Sequence, residues 1–526
     1  MSNAHPIEVL AVPRAELTEL VERVRPQVTE ADYQLLRRLV DTVAFVLEVL
    51  QRKTLSLARL RRLLFGPRTE KTGPVAPPPA PPPKRPRKGH GRRGADAYPG
   101  AARVVVAHPT LRVGTACPAC RQGKLYGLAV PARLLRVVGQ PPIQAAVYVL
   151  EKLRCALCGK VFTAPAPPQA GREKYADTVA TTLALLRYGT GVPFERLARL
   201  QESLGVPLAA TTQWELVQAR ATELAPVQAQ LIHHAAQGQV LHNDDTAMTV
   251  LSLKAAVAPA DGPNEEPVPR ERTGIFTSGI VAQAGAHPIA LFFTGRQHAG
   301  ENLRDVLQHR DPQLPTPIQM CDALSRNLPK DTPARLAQCL VHARRLFIEA
   351  APSFPAQCQR VLADIGTLYH HEEQTRTGSA AERLRFHQNH SQPILDALQT
   401  WMQAQLDTHQ VEPNSGLGQA FNYMLKRWAP LTLFLREPGA PLDNNICERA
   451  LKMAILHRKN SLAYKTQKGA GVGDLFMSLI HTCRLNAVNP FAYLTALHRH
   501  AAQVLAHPEQ WLPWNYPATP VPADTG

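Results

Sequence analysis

Apolar residues return every seven positions from residue 36. Leu36, Val43, Leu50, Leu57 and Leu64 mark one seam, and Leu39, Val46 and Leu60 mark a second that Lys53 interrupts. A seven-residue repeat of this kind is the pattern of a coiled-coil helix, here roughly four heptads long. Thr29 with Asp32 three places on resembles a capping box, so the spacing predicts a long helix from 29 within an N-terminal region 1–65. The seam serves either self-association or packing on another helix of the same chain. The pattern then stops. Pro77 to Pro83 is almost unbroken proline, which predicts an extended linker over 66–103. Between Leu134 and Leu150 the apolar positions alternate and are rich in Val, Ile and Tyr, the pattern of strands.

From 171 to 236 the period is helical. Phe194 to Leu204 is amphipathic, Gly205-Val206 turns the chain, and Thr211 or Thr212 can cap a second helix carrying Trp214, Leu216 and Val217. The spacing resembles a helix-turn-helix. Arg220 is the main basic residue of the second helix, so a DNA reader and a structural helix pair are equally open. After Gly238 the texture changes again. Gln239 to Leu241 opens a short apolar strand ending in Asp244 and Asp245. Ala247 to Leu253, Gly274 to Gln283 and Pro288 to Gly295 read as further strands, with 256–273 as a surface loop. Glu301 to His309 reads as a helix and Pro317 to Cys321 as a strand ending at Asp322. Strands with an intervening helix predict a mixed α/β sheet. Side chains alternate along a strand, so one of Asp244 and Asp245 faces any shared site and the other faces away. Residues 335–435 are helical in pattern, with Tyr369 and Arg383 along the way. A helix from Phe491 to Leu505 is expected to pack on the sheet and runs into a C-terminal tail 501–526, of which 506–526 reads as loose and Pro-rich.

Residues 440–460 open with helix-start chemistry, Pro441 ahead of Asp443, Asn444 and Asn445. Ile446, Ala450, Leu451, Ala454 and Ile455 form one apolar stripe. Glu448 stands among Arg449, Lys452, His457, Arg458 and Lys459. Taken alone it is either a surface partner of Lys452, worth about 0.2–0.5 kcal/mol, or a carboxylate that holds a divalent metal while the cations hold phosphate.

Charge and cysteine content narrow the partners. The chain has 526 residues, enough for several domains, with net charge +17 and a pI near 9.7. Such a balance points to a polyanion, most simply nucleic acid. Lys84, Arg85, Arg87, Lys88, Arg92 and Arg93 form an acid-free, glycine-containing arm, either a phosphate-binding segment or a solvated charge run. Asp41 and Glu48 break the one long apolar stretch, and no signal peptide is visible, so no membrane is expected and the location expected is cytoplasmic, with the bacterial nucleoid. The nine cysteines include two tight pairs, Cys117-Pro-Ala-Cys120 and Cys155-Ala-Leu-Cys158. Four thiolates from two knuckles suit a closed tetrahedral Zn2+ site, which predicts a structural zinc ribbon over 104–170. Asp244, Asp322 and Glu448 offer hard oxygens of the kind a two-Mg2+ phosphodiester displacement uses.

These residues also carry a resemblance. Leu63-Leu64-Phe65-Gly66 with Thr69-Glu70-Lys71, the paired cysteine knuckles, His242-Asn243-Asp244-Asp245-Thr246, Cys339-Leu340-Val341-His342-Ala343-Arg344-Arg345, and Leu442-Asp443-Asn444-Asn445 through Glu448-Arg449 to Arg458-Lys459-Asn460 are similar to motifs of the insertion sequence 66 family of transposases, of the Asp-Asp-Glu class. The resemblance covers about 29–500. It implies a multidomain α/β protein whose domain 237–500 is a ribonuclease-H-like catalytic core with a helical insertion over about 335–435. It also implies Asp244, Asp322 and Glu448 as the catalytic acids, holding Mg2+ or Mn2+. The implied chemistry is cleavage at the element's ends and transfer of the freed 3′-OH to target DNA. A homo-oligomer and small accessory proteins of the same element are implied partners. Arg344, Arg345, Arg449, Lys452, Arg458 and Lys459 are candidate phosphate contacts. His242 and His342 are expected to be structural or DNA-facing, and Cys339 and Cys447 to be small buried residues. Two departures stand out. Asp245 replaces a frequent Glu, and Ala323-Leu324-Ser325-Arg326-Asn327 replaces a common aromatic motif, which leaves the roles of those neighbours open. The alternatives are a DNA-binding relative without catalysis and a metal-dependent nuclease that cuts without joining.

Overall fold

The computed structural model describes residues 14–41, 103–255 apart from 129–131, 135, 138–141, 159 and 172, and 272–516. The chain divides into a unit ending at Pro81 and a unit beginning at Pro82. In the first, helix Arg14–Val24 is followed by a second helical stretch from residue 30 through residue 41. Thr29 caps that stretch as its spacing predicts: its Oγ1 accepts from the Asp32 N–H at 3.3 Å and donates to the Asp32 carboxylate at 2.6 Å. Tyr33 donates to Glu22 at 2.6 Å, and the Arg25 guanidinium lies 4.7 Å over its ring, which pins the two helices together. Leu35 and Leu39 remain exposed. The heptads from Val43 onward, the proline linker and the basic arm Lys84–Arg93 lie outside the described residues.

In the second unit, strands β1 (Lys152–Arg154) and β2 (Val161–Thr163) form an antiparallel hairpin. The alternation over 134–150 forms no strand among the described residues. Val147 and Val149 are exposed. Alternation yields a stable strand when one face has a layer to pack on, and nothing covers these positions.

The large sheet has five strands: β3 (Val240–Ala247), β4 (Phe276–Ala284), β5 (His287–Gly295), β6 (Ile318–Cys321) and β7 (Arg335–Gln338). Their order is β5-β4-β3-β6-β7, with β3–β4 and β4–β5 antiparallel and β3–β6 and β6–β7 parallel. The mixed sheet matches the expectation, with three differences. Asp244 and Asp245 lie inside β3, because pairing with β4 extends the strand to Ala247. Leu251–Ala255 is a short helix, not a strand. Arg335–Gln338 is a fifth strand, so the helical insertion begins at Leu340 rather than at 335. Four residues are too few to display a period.

Edge strand β5 is covered by helix Gln467–Leu485. Asp474, Ser478 and Thr482 accept from the N–H groups of Thr294, Phe292 and Ala290 at 2.7, 3.0 and 3.1 Å, and Asn486 donates to the Pro288 carbonyl at 2.8 Å. Residues four apart share one helix face, so one polar stripe satisfies the free edge of the strand. Helix Asn445–Ser461 packs on β3 and β4, and long helix Ala210–Ala236 on β4 and β5. The latter buries Val217, Leu224, Val227 and Leu231 in one core with Leu241, Ile280 and Phe292 of the sheet. The predicted helix pair around Gly205 is present, with Gly205 at φ +76°. Its second helix starts one step past Ala209, and Thr211 and Thr212 lie within it rather than capping it. The helices of the insertion, from Leu340–Ala350 to Gly416–Lys426, form a second core with β6 and β7. At the C-terminus, helix Pro490–Arg499 packs on helices Asp177–Ala184 and Ala210–Ala236 rather than on the sheet. Trp511 and Leu512, expected in the loose tail, are buried, with Tyr493 donating to the Trp511 carbonyl at 2.6 Å.

Helix Ala299–Leu307 packs against β3, β4 and the turn Ser325–Asn327. At Gly300 an added Cβ would lie 2.3 Å from the Leu328 carbonyl oxygen. Backbone meets backbone there, so the loop must move. Gly300→Ala is expected to destabilise the protein by about 1–3 kcal/mol in urea unfolding. Gly366→Ala, where a Cβ meets nothing within 4 Å, is expected to stabilise by about 0.5–1 kcal/mol. Equal stability of the two variants would refute the close packing at Gly300.

Candidate active site

Two acids come from neighbouring parallel strands. His242 of β3 is in register with Met320 of β6, so two places further on Asp244 stands opposite Asp322, just past the end of β6. Adjacent strands lie about 4.8 Å apart. The Asn327 side chain joins the two, its Nδ2 donating to Asp322 Oδ1 at 2.6 Å and to Asp244 Oδ1 at 3.2 Å. Asn327 is itself fixed from behind. Its carbonyl accepts from Asn243 Nδ2 at 2.8 Å and Gln319 Nε2 at 2.7 Å, and Gln319 also donates to Asn243 Oδ1 at 2.9 Å. Asn243, Gln319 and Asn327 are all buried. Nothing in the sequence pattern singled out this amide network. Its members are scattered polar residues within apolar strands and a turn, and that burial of polar groups inside strands is the one signal available.

Asp245 faces away, as strand alternation requires. It meets His298 Nδ1 at 2.9 Å and Arg326 at 3.0 Å. Asp244 is electrostatically strained: burial, then the Asp322 charge, push its carboxyl up to about 7, with Asp245 and Glu448 adding to the effect and the Asp245 N–H opposing it.

The third acid rides on helix Asn445–Ser461. The approach of this helix depends on Gly279, which pairs with Asp244 across β3 and β4. A Cβ at Gly279 would come within 3.0 Å of Leu451, and Cys447 donates to the Gly279 carbonyl at 3.3 Å. The predicted capping role of Asn444 is not what the structure shows. Its fully buried side chain instead accepts at Oδ1 in a 3.1 Å contact with His242 Nδ1 and donates to the Asn243 carbonyl at 3.1 Å. Asp443 takes the turn instead, accepting from the Asn445 N–H at 3.0 Å. His242 is buried and its pKa is lowered to about 4, chiefly by that burial, so it is neutral and structural at pH 7.

Glu448 is half-buried, and its Oε1 has no hydrogen-bond partner. Its charge is felt by both Asp244 and Cys339. Its carboxylate lies with Cys339 Sγ and a ring nitrogen of His342 within a mutual 4.8 Å, the one such group of three metal-binding side chains among the described residues. Asp244 and Asp322 are not part of that grouping, and His342, expected to be a structural or DNA-facing residue, lies within it. Cys339 and Cys447 are buried as expected.

The cysteine knuckles are each formed. The Cys117 N–H donates to the Gly123 carbonyl at 2.7 Å, and Arg121 turns at φ +58°. The N–H groups of Gly123 and Gln122, then Cys117, lower the Cys120 pKa. Cys155 sits at the end of β1, its N–H donating to the Lys160 carbonyl at 3.0 Å. No three of the four thiols reach the 4.8 Å grouping. Among the candidate phosphate contacts Arg345, Arg449, Lys452 and Lys459 are exposed and Arg344 is half-buried. Arg458 is engaged within the chain, donating to Thr246 Oγ1 at 3.1 Å and to the Ala247 carbonyl.

Residues 174–471, more than half of the chain, match the family described as Transposase IS66 family. The chain belongs to this transposase family. The match spans the sheet, the insertion and the helix bearing Glu448. Among curated proteins, two from Sinorhizobium fredii (strain NBRC 101917 / NGR234) are similar. Uncharacterized protein y4hP is 26% identical over 432 residues, 79% of this chain and 75% of its own length. Uncharacterized protein y4jD is 25% identical over 433 residues, 79% of this chain and 80% of its own. Membership of a transposase family implies a DNA-processing enzyme. No helix among the described residues is long and apolar enough to cross a membrane.

Asp244 gives a pH signature. Its carboxyl is raised from 3.8 to about 7 in the folded protein. Its contribution to stability is therefore complete below about pH 4 and is lost as the pH rises through about 7. In metal-free protein, Asp244→Asn is expected to match the parent's Tm at pH 4 and to exceed it at pH 8. A difference that does not vary with pH would show that Asp244 is not perturbed.

Proposed function

We propose that this transposase binds the ends of its insertion element and carries out metal-dependent strand cleavage and strand transfer with Asp244, Asp322 and Glu448. The observation that carries the reading is the pair of acids on adjacent strands tied through Asn327. The sheet supports it, since the strand order β5-β4-β3-β6-β7, three strands antiparallel and two added in parallel, agrees with the ribonuclease-H-like core that the resemblance implies.

The donor set fits Mg2+ or Mn2+. Asp244 and Asp322 offer carboxylate oxygens, which such hard cations prefer, and the raised pKa of Asp244 marks a place where a cation would relieve like-charge crowding. Glu448, with an unpartnered oxygen beside them, supplies the third carboxylate. Bound there, the metal would lower the pKa of the attacking water or 3′-OH and stabilise the leaving oxygen. The chain's own part is positional. Asn327 fixes the two strand-borne acids, and the exposed Arg345, Arg449, Lys452 and Lys459 hold phosphates beside them. Water at the element end and then the freed 3′-OH at the target make the same in-line displacement, so one site serves both steps. Cys117, Cys120, Cys155 and Cys158 would hold structural Zn2+ in a DNA-binding ribbon, the ion itself drawing the two pairs together. The basic arm adds sequence-independent contacts, and the heptads support a homo-oligomer working with accessory proteins of the element.

With DNA carrying the element's ends and Mg2+, the parent is expected to nick and join. Glu448→Gln is expected to lose product by more than about 100-fold, beyond the effect of losing a residue that merely supports a ligand. Tight binding without nicking by the parent would favour the non-catalytic alternative, and cutting without joining the nuclease. Separately, Cys120→Ser is expected to lower zinc content by elemental analysis; unchanged zinc would refute the ribbon.

A further inference from the structure

Beside the two aspartates lies a set of groups that a Mg2+ site has no use for. Cys339 is the N-cap residue of helix Leu340–Ala350 and His342 is in its first turn, so the spacing brings a thiol and an imidazole to one helix end. The strap 442–444 locks that end to the start of helix Asn445–Ser461. The Leu340 N–H donates to the Leu442 carbonyl at 3.0 Å, and the Asn444 N–H donates to Cys339 Sγ at 3.3 Å. Two helix starts are thereby held together, and the first turn of the second delivers Glu448. The three ligand atoms lie within 4.8 Å of one another. In the same residues His342 Nδ1 and Glu448 Oε1 are buried and without hydrogen-bond partners.

We infer that Cys339, His342 and Glu448 form a second metal site, one for a thiolate- and imidazole-seeking divalent ion, Zn2+ above all. Three chemical facts support this. Thiolate and imidazole select Zn2+ and Co2+ over Mg2+. Three protein ligands with an open fourth position are the usual composition of a Zn2+ site that binds a further molecule. A backbone N–H donating to the sulfur is the kind of outer contact that supports a metal-bound thiolate, and Asn444 already provides it. The site is distinct from the cysteine knuckles, which share no residue with it. It shares Glu448 with the acids of the proposed catalytic site, so an ion here and an ion at Asp244 and Asp322 draw on one carboxylate. Zinc binding itself does not depend on the transposition reading.

The test compares full-length parent, His342→Ala and Glu448→Gln, each first shown by circular dichroism and a cooperative thermal transition to be folded. After dialysis against micromolar Zn2+, zinc is counted by elemental analysis, and metal-depleted protein is titrated with Co2+ and followed by its ligand-field and thiolate charge-transfer absorption. Each variant is expected to bind one equivalent of zinc fewer than the parent, and to lose one component of the Co2+ spectrum. Cys120→Ser is expected to lose a different component and keep this one. Equal zinc and equal spectra in parent and both variants would overturn the proposal. Loss in His342→Ala with none in Glu448→Gln would overturn the three-ligand site.

Discussion

The site depends on one buried side chain, Asn444. Its amide spans from helix Asn445–Ser461 to β3 through His242 and the Asn243 carbonyl, while its own N–H reaches Cys339 at the start of another helix. An amide buried this completely, without such partners, would cost about 1–3 kcal/mol, so the contacts specify one arrangement of sheet and helices rather than merely adding stability. The placement of Glu448 follows from it: the carboxylate is one turn beyond the anchor, and the anchor fixes which strand that turn faces.

The second constraint is charge crowding. Burial, with the like charges of Asp322, Asp245 and Glu448, raises the Asp244 carboxyl. The fold holds the two aspartates through a neutral donor. Asn327 bridges the two aspartates, and Asn243 and Gln319 hold Asn327. The adjacent Asp245, by contrast, is matched with His298 and Arg326 on the opposite face. Acids of successive residues thus meet opposite surroundings, Asp245 paired with His298 and Arg326 and Asp244 bonded to the neutral Asn327.

Elsewhere polar residues are spent on architecture. Helix Gln467–Leu485 uses Asp474, Ser478 and Thr482 to close the edge of β5, and Arg458 ties its helix to the end of β3. Arg458, a candidate phosphate contact in the sequence, is also bonded within the chain. These bonds join segments far apart along the chain, Thr294 to Asp474 or Thr246 to Arg458.

The sequence alone determined what depends on near neighbours. The Thr29 cap, the strand before Asp322, the helix after Asn444, the opposite facing of Asp244 and Asp245, and the two cysteine knuckles all follow from local spacing, since hydrogen bonding within a turn and side-chain alternation are set over a few residues. The motifs around Asp244, Cys339 to Arg345 and Glu448 also pointed to the transposase family that the match over 174–471 shows. Tertiary structure decided the rest. β7 exists because β6 offers it a parallel edge, four residues being too short to declare themselves. The alternation over 134–150 makes no strand among the described residues, where Val147 and Val149 are exposed and Ile143 alone joins the core. Asn444 serves as a link between elements instead of a cap, Asn327 joins two acids, and Cys339 and His342 meet Glu448. For Asn444 and Asn327 the deciding energy is the satisfaction of buried polar groups by partners on other elements, and only the folded chain determines which partner is within reach.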